Sequence, residues 1–163
     1  VTGRNMLLWD GGCHVHGQFS LEKILAIKAE HPEAKVLVHP ECPAPIQKIA
    51  DVIGSTAGLL NFAIKSQATE FIVATESGIL HEMTKACPDK TFIPAPPEMS
   101  ETMGCSCNEC AFMKLNTLPK LYNTLKYEWP EIKVAPEVAE KAIKPIDRML
   151  EISKNLKSAM ASK

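Results

Sequence analysis

The chain has 163 residues, 45% of them hydrophobic and 23% charged, with a formal net charge of -1. That balance suits a globular protein and excludes a disordered polymer, and no apolar run approaches the roughly 20 residues that a membrane-spanning helix needs. The 18 basic residues do not gather into a stripe with interleaved aromatics, so the electrostatic footprint of a nucleic-acid binder is missing.

In chain order, Val1-Thr2-Gly3 lacks an initiator Met and leads almost at once into Met6-Leu7-Leu8-Trp9, an apolar run that predicts a first buried strand. This start reads as that of an excised portion of something longer. Gly11-Gly12-Cys13-His14-Val15-His16 follows, then Leu21, Ile24, Leu25 and Lys28 at helical spacing. Val36-Leu37-Val38 predicts a second strand, with His39-Pro40-Glu41 directly after it. Ile46, Ile49 and Ile53 share one helical phase. Gly54 supplies a turn, and Ser55 or Thr56 is placed to cap a helix over Ala57 to Ile64. Phe71-Ile72-Val73-Ala74 predicts a third strand, followed by Thr75-Glu76-Ser77-Gly78 and a short helix with Leu80, Met83 and Thr84. Thr91-Phe92-Ile93 predicts a fourth strand, and Pro94, Pro96 and Pro97 close the unit. A cysteine-bearing loop comes next. Leu118, Leu121, Tyr122 and Leu125 repeat at helical spacing up to Trp129-Pro130, and a last amphipathic stretch starts at Pro136, where Pro145 should kink or restart the helix.

Continuous apolar strands alternating with helices predict an α/β, three-layer αβα fold with a parallel sheet covered on both faces. Two segments are expected: an α/β domain over residues 1–98 carrying Cys13, His39, Glu41, Ser55 and Thr56, and a cysteine loop with carboxyl-terminal helices over residues 99–163. In such sheets, ligands bind beyond the carboxyl ends of the strands. Cys13 with His16, His39 with Glu41, and Thr75 to Gly78 would then converge on one cleft from distant parts of the sequence.

The residue types in that cleft suggest metal, redox or proton-transfer chemistry. Glycines before Cys13 leave its sulfur accessible and let the backbone pass close to a bulky group. His39-Pro40-Glu41 offers a base and a carboxylate on a stiff turn, although a polar surface loop has the same composition. Gly54-Ser55-Thr56 presents hydroxyls and free amides suited to a carboxylate or phosphate, and equally to an ordinary helix cap. Cys105, Cys107 and Cys110 put three thiols within six residues, which suits zinc, an iron-sulfur cluster or a Cys107–Cys110 thiol–disulfide switch. Spacing does not choose among these. Cys42 and Cys87 lack clustered partners and read as structural. Six cysteines without a secretory signal do not make a secreted disulfide scaffold, which points to a reducing, cytoplasmic setting.

Four ordered motifs together resemble the quinolinate synthase family: Gly11-Gly12-Cys13-His14-Val15-His16, Val38-His39-Pro40-Glu41-Cys42, Gly54-Ser55-Thr56, and Cys107-Asn108-Glu109-Cys110 running on to Asn116. The resemblance implies an iron-sulfur enzyme of NAD biosynthesis that condenses iminoaspartate with dihydroxyacetone phosphate to quinolinate, with loss of water and phosphate. It implies three similar α/β domains about a pseudo-threefold axis, of which this chain supplies one repeat plus carboxyl-terminal helices. A four-iron, four-sulfur cluster would be held by three cysteines, Cys13 and Cys110 among them. His16, His39, Glu41, Ser55 and Thr56 would line the substrate pocket, with His39 and Glu41 handling protons. The third cysteine would come from an amino-terminal half preceding Val1. Adjacent loop thiols such as Cys105 and Cys107 would not reproduce the triangular ligand arrangement, so the chain by itself should be a poor catalyst or none. A non-catalytic zinc-binding or redox-switched α/β module is the competing reading.

Overall fold

The structure is a computed structural model that describes residues 5–7, 9–98 and 108–161, with side chains as far as residue 155. It divides into two compact units, Val1–Leu115 and Asn116–Lys163. Cys110 therefore belongs with the sheet. Cys105 and Cys107 lie outside the described residues.

The first unit runs α1 (Leu21–Glu30), β1 (Lys35–Val38), α2 (Ala44–Lys48), β2 (Val52–Ile53), α3 (Thr56–Lys65), β3 (Glu70–Ala74), α4 (Ile79–Ala86) and β4 (Thr91–Pro94). The strands form one parallel sheet in the order β2-β1-β3-β4. Side chains alternate between the faces of a strand, and the core divides accordingly. Val36, Val38, Ile72 and Ala74 pack with Ile24 of α1 and Ile46 of α2. Leu37, Phe71 and Val73 pack on the opposite face with Leu59 and Ala63 of α3 and Met83 of α4. Most of these residues are fully buried. Two apolar layers against one sheet make the three-layer αβα architecture, as the strand and helix patterning predicts.

The strand expected over residues 6–9 is not found among the described residues of that run. Met6, Leu7 and Trp9 are 61%, 105% and 92% exposed, and residues 5–7 and 9 carry no strand or helix. An apolar run signals burial but supplies no pairing partner, and strand identity depends on the partner. The fourth strand is instead β2, only two residues long, whose Val52 and Ile53 pair with Leu37 and Val38. The helical phase that Ile53 shares with Ile46 and Ile49 does not extend the helix to it, because α2 ends at Lys48.

Strand order places the site. From β1 the chain moves outward to β2 and then returns past β1 to β3 on its other side, so the turns after β1 and β3 diverge at a topological switch point. A crevice opens there at the carboxyl edge of a parallel sheet. His39 directly follows β1 and Thr75 directly follows β3, and the His39 amide donates to the Ala74 carbonyl at 3.1 Å, which extends the pairing to the rim.

The second unit holds α5 (Leu118–Tyr127) and α6 (Pro136–Ala161). Thr117 caps α5, and Glu128 ends it in the left-handed region at φ 51°. The helix expected from Pro136 starts there and continues through Pro145 without a restart. No helix among the described residues is long and apolar enough to cross a membrane.

Candidate functional site

Cys13 and His16 do not follow a strand as expected. They sit on the loop and 3-10 turn that precede α1, the turn spanning His16–Gln18. Val15 and Phe19 are buried in the core beside Val38 and Ala74, and Phe19 bridges to Pro97. These anchors bring the loop over the strand ends.

His16 is 6% exposed, and both of its ring nitrogens are engaged. Nδ1 lies 2.8 Å from Glu41 Oε2 and Nε2 lies 3.0 Å from Thr75 Oγ1. Buried polar groups need such partners, because an unpaired one carries the full cost of lost hydration. The His39 ring stacks on His16 with centroids 4.1 Å apart and planes within 8°. His39 Nδ1 accepts the Glu41 amide at 3.3 Å and lies 3.6 Å from Glu41 Oε2. Burial, and next the neighbouring His16, lower the pKa of His39, with the Glu41 carboxylate opposing. Glu41 itself is 53% exposed, so its carboxylate reaches from the buried imidazole to solvent.

Cys13, His16, Thr56, Thr75, Glu76 and Cys110 share the wall of a cavity of about 490 Å³. Cys13 and Cys110 are both partly buried free thiols packed against the same core face. The Cys110 loop is tied to the turn after β3 at two points, through Glu76 and Ser77, and to Ala95 after β4 through Asn108. The Glu76 carboxylate accepts the Cys110 amide at 3.3 Å and the Gly78 amide at 2.8 Å. The Ser77 amide donates to the Asn108 carbonyl at 3.0 Å, and the buried Asn108 side chain donates to the Ala95 carbonyl. A Cβ at Gly78 would stand 2.7 Å from a Glu76 carboxylate oxygen, so a side chain there would displace the carboxylate that holds the Cys110 amide.

The structure thus brings together Cys13, His16, His39, Glu41, Thr56 and Cys110. Ser55 caps α3, its hydroxyl accepting the Gly58 amide at 3.2 Å, and the next residue, Thr56, lines the cavity. Thr75 and Glu76 join Thr56 on the cavity wall, as their place after the third strand predicts. Their place after a strand was readable in the sequence, but their contacts with His16 and Cys110 were not.

The Sγ, imidazole nitrogen and carboxylate oxygen of Cys13, His16 and Glu41 lie within 4.8 Å of one another, and Cys110 is not part of that compact group. Two partly buried thiols on one cavity wall, carried by separate loops, suit a cluster that takes its thiolates from several loops.

Fold and site define a parallel α/β protein with a thiol, imidazole and carboxylate centre at its strand ends. The chain belongs to the quinolinate synthase family: the model for the quinolinate synthetase A protein matches residues 1–151. The quinolinate synthase of Synechococcus sp. is 50% identical over 152 residues, which is 93% of this chain and 47% of that protein. Those of Microcystis aeruginosa and Chloroherpeton thalassium are each 51% identical over the same length, 46% of either protein. The chain therefore spans about half the length of the curated relatives it matches.

Proposed function

We propose that the chain is the part of a cytoplasmic quinolinate synthase that carries two of three cluster thiolates, Cys13 and Cys110, and much of the substrate pocket. The observation that carries this reading is the convergence of both thiols, His16 and Thr56 on one cavity in a chain of this family. The substrates would be iminoaspartate and dihydroxyacetone phosphate, and the third thiolate would come from the amino-terminal half of the relatives' length.

When bound, a four-iron, four-sulfur cluster with one iron free of cysteine supplies a Lewis acid for a substrate oxygen. The chain's own groups do the rest. Glu41 accepts from His16 through Oε2, and its exposed carboxylate is the proton acceptor at the cavity edge. His39 uses Nδ1 to accept the Glu41 amide, so its neutral ring carries the proton on Nε2 and donates there to a substrate oxygen. Burial and His16 both favour that neutral ring. His16 is held by Thr75 and orients Glu41, and the Thr56 hydroxyl at the start of α3 suits a substrate carboxylate or phosphate.

Anaerobic reconstitution with iron and sulfide, in an assembly complete enough to turn over, tests the proposal. Cys13→Ser and Cys110→Ser should each abolish the brown chromophore and quinolinate formation, whereas Cys42→Ser should retain both. Full iron retention in the Cys110 variant sinks the ligand assignment. Stoichiometric zinc that iron and sulfide do not displace, in an assembly that stays colourless and oxygen-resistant, would favour the non-catalytic module.

A further inference from the structure

The compact group of Cys13, His16 and Glu41 has a geometry of its own, independent of Cys110. We propose that the chain, when no cluster is bound, takes one divalent transition-metal ion at Cys13 Sγ, His16 Nδ1 and Glu41 Oε2, with the fourth position open to the cavity. One thiolate, one imidazole and one carboxylate match zinc, ferrous iron or cobalt, and exclude magnesium or calcium, which prefer all-oxygen sites.

The distances support a single ion. Tetrahedral bonds of about 2.0 to 2.3 Å set neighbouring ligand atoms about 3.5 Å apart. The three donors lie within 4.8 Å of one another, so closure requires a shift of only about 1 Å at the widest pair. Glu41 is exposed enough to make it. His16 Nδ1 and Glu41 Oε2 already converge at 2.8 Å on a shared proton, the position that a cation would take over.

Thr75 completes the site from behind. Metal-binding imidazoles are oriented by a partner on the other ring nitrogen, and Thr75 Oγ1 lies 3.0 Å from His16 Nε2 inside the core. Without metal, Nδ1 donates to the Glu41 carboxylate, so Nε2 accepts from the Thr75 hydroxyl. With metal on Nδ1, the ring proton moves to Nε2 and the same hydroxyl accepts it. A hydroxyl serves both states because it is donor and acceptor at once. The imidazole then keeps its proton count, and one proton, from the Cys13 thiol, leaves per ion bound.

The test uses the full chain with Cys105→Ser, Cys107→Ser and Cys110→Ser, which removes the clustered thiols as a competing site and precludes the cluster as proposed. Anaerobic cobalt titration should give one equivalent with a thiolate-to-cobalt charge-transfer band. Adding Cys13→Ser should eliminate the band, and His16→Ala or Glu41→Gln should weaken binding at least about 10-fold. Thr75→Val should weaken it about 10-fold to 100-fold, while Thr75→Ser restores it. Absence of stoichiometric cobalt, a band that survives Cys13→Ser, or affinity indifferent to His16→Ala overturns the proposal. Should the triple-serine chain fail to fold, cadmium NMR on the unsubstituted chain reads the number of thiolates at each bound ion. A one-thiolate signal lost in Cys13→Ser supports the site, and its absence from the unsubstituted chain refutes it. Because none of these readouts needs turnover or iron, failure here leaves the synthase proposal standing, and the converse also holds.

Discussion

Cys42 and Cys13 carry the same thiol in opposite circumstances. Cys42 is 3% exposed, donates to the Ala74 carbonyl at 3.4 Å, and is pushed by burial up to a pKa of about 11. At pH 8 only about one in a thousand such thiols is the reactive thiolate. Limited alkylation followed by mass mapping should therefore modify the partly exposed Cys13 and Cys110 well before Cys42, and equal labelling at the three would contradict this packing. His39 gives a pH dependence at the same scale. Its folded-state pKa lies below the ordinary 6.5, so the unfolded chain binds more protons in that interval. Its stability contribution is present above 6.5 and is lost as pH falls through the lowered value. Denaturant unfolding should show this decline, and His39→Gln should flatten it.

At the scale of elements, Asp51 holds the short β2 edge to β1. Its carboxylate accepts the Val36 amide at 2.8 Å and the Lys35 ammonium at 3.0 Å, and its own amide donates to the Val36 carbonyl at 2.9 Å. Burial alone would raise its pKa, but the Val36 and Lys35 hydrogen bonds and the positive charges of Lys35 and Lys28 outweigh that and lower it. Asp51→Ala should cost about 1.5 to 3 kcal/mol in urea unfolding, the range for hydrogen bonds to a charged group. The wild-type contribution should be present above 3.8 and fade as pH falls through the lowered folded-state value. A loss below 0.5 kcal/mol at neutral pH would show that β2 is held by something else. The same region explains what was legible in the sequence. α1, α3 and α4 announce themselves through helical spacing and, for α3, through the Ser55 cap. β2 has two residues, too few for a period, and was absorbed into the phase of Ile46 and Ile49.

For the whole molecule, the relation to its relatives sets the expectation. The chain matches 46–47% of their length, and only two of three proposed thiolates are on it. We expect the chain alone to hold little iron and to form no quinolinate, and addition of the relatives' remaining polypeptide to restore both. Iron analysis and a quinolinate assay of the two preparations check this, and full activity of the chain alone would refute the shared-site proposal. Zinc bound at Cys13 would oppose such assembly, since one thiolate cannot serve both.

By itself the sequence determined the alternating α/β order, the strands β1, β3 and β4, and the thiol, imidazole and carboxylate types bound for the strand ends. Those properties are local: periodicity within a strand or helix, and short motifs at its end. Tertiary structure alone decided that residues 6, 7 and 9 join no strand, that β2 completes the sheet, and that Thr75 meets His16 from 59 positions away. It also separated Ser55, used as a helix cap, from Thr56 on the cavity. Pairing and convergence depend on which distant segments meet across the switch point of the sheet, and no local pattern in the chain encodes that meeting.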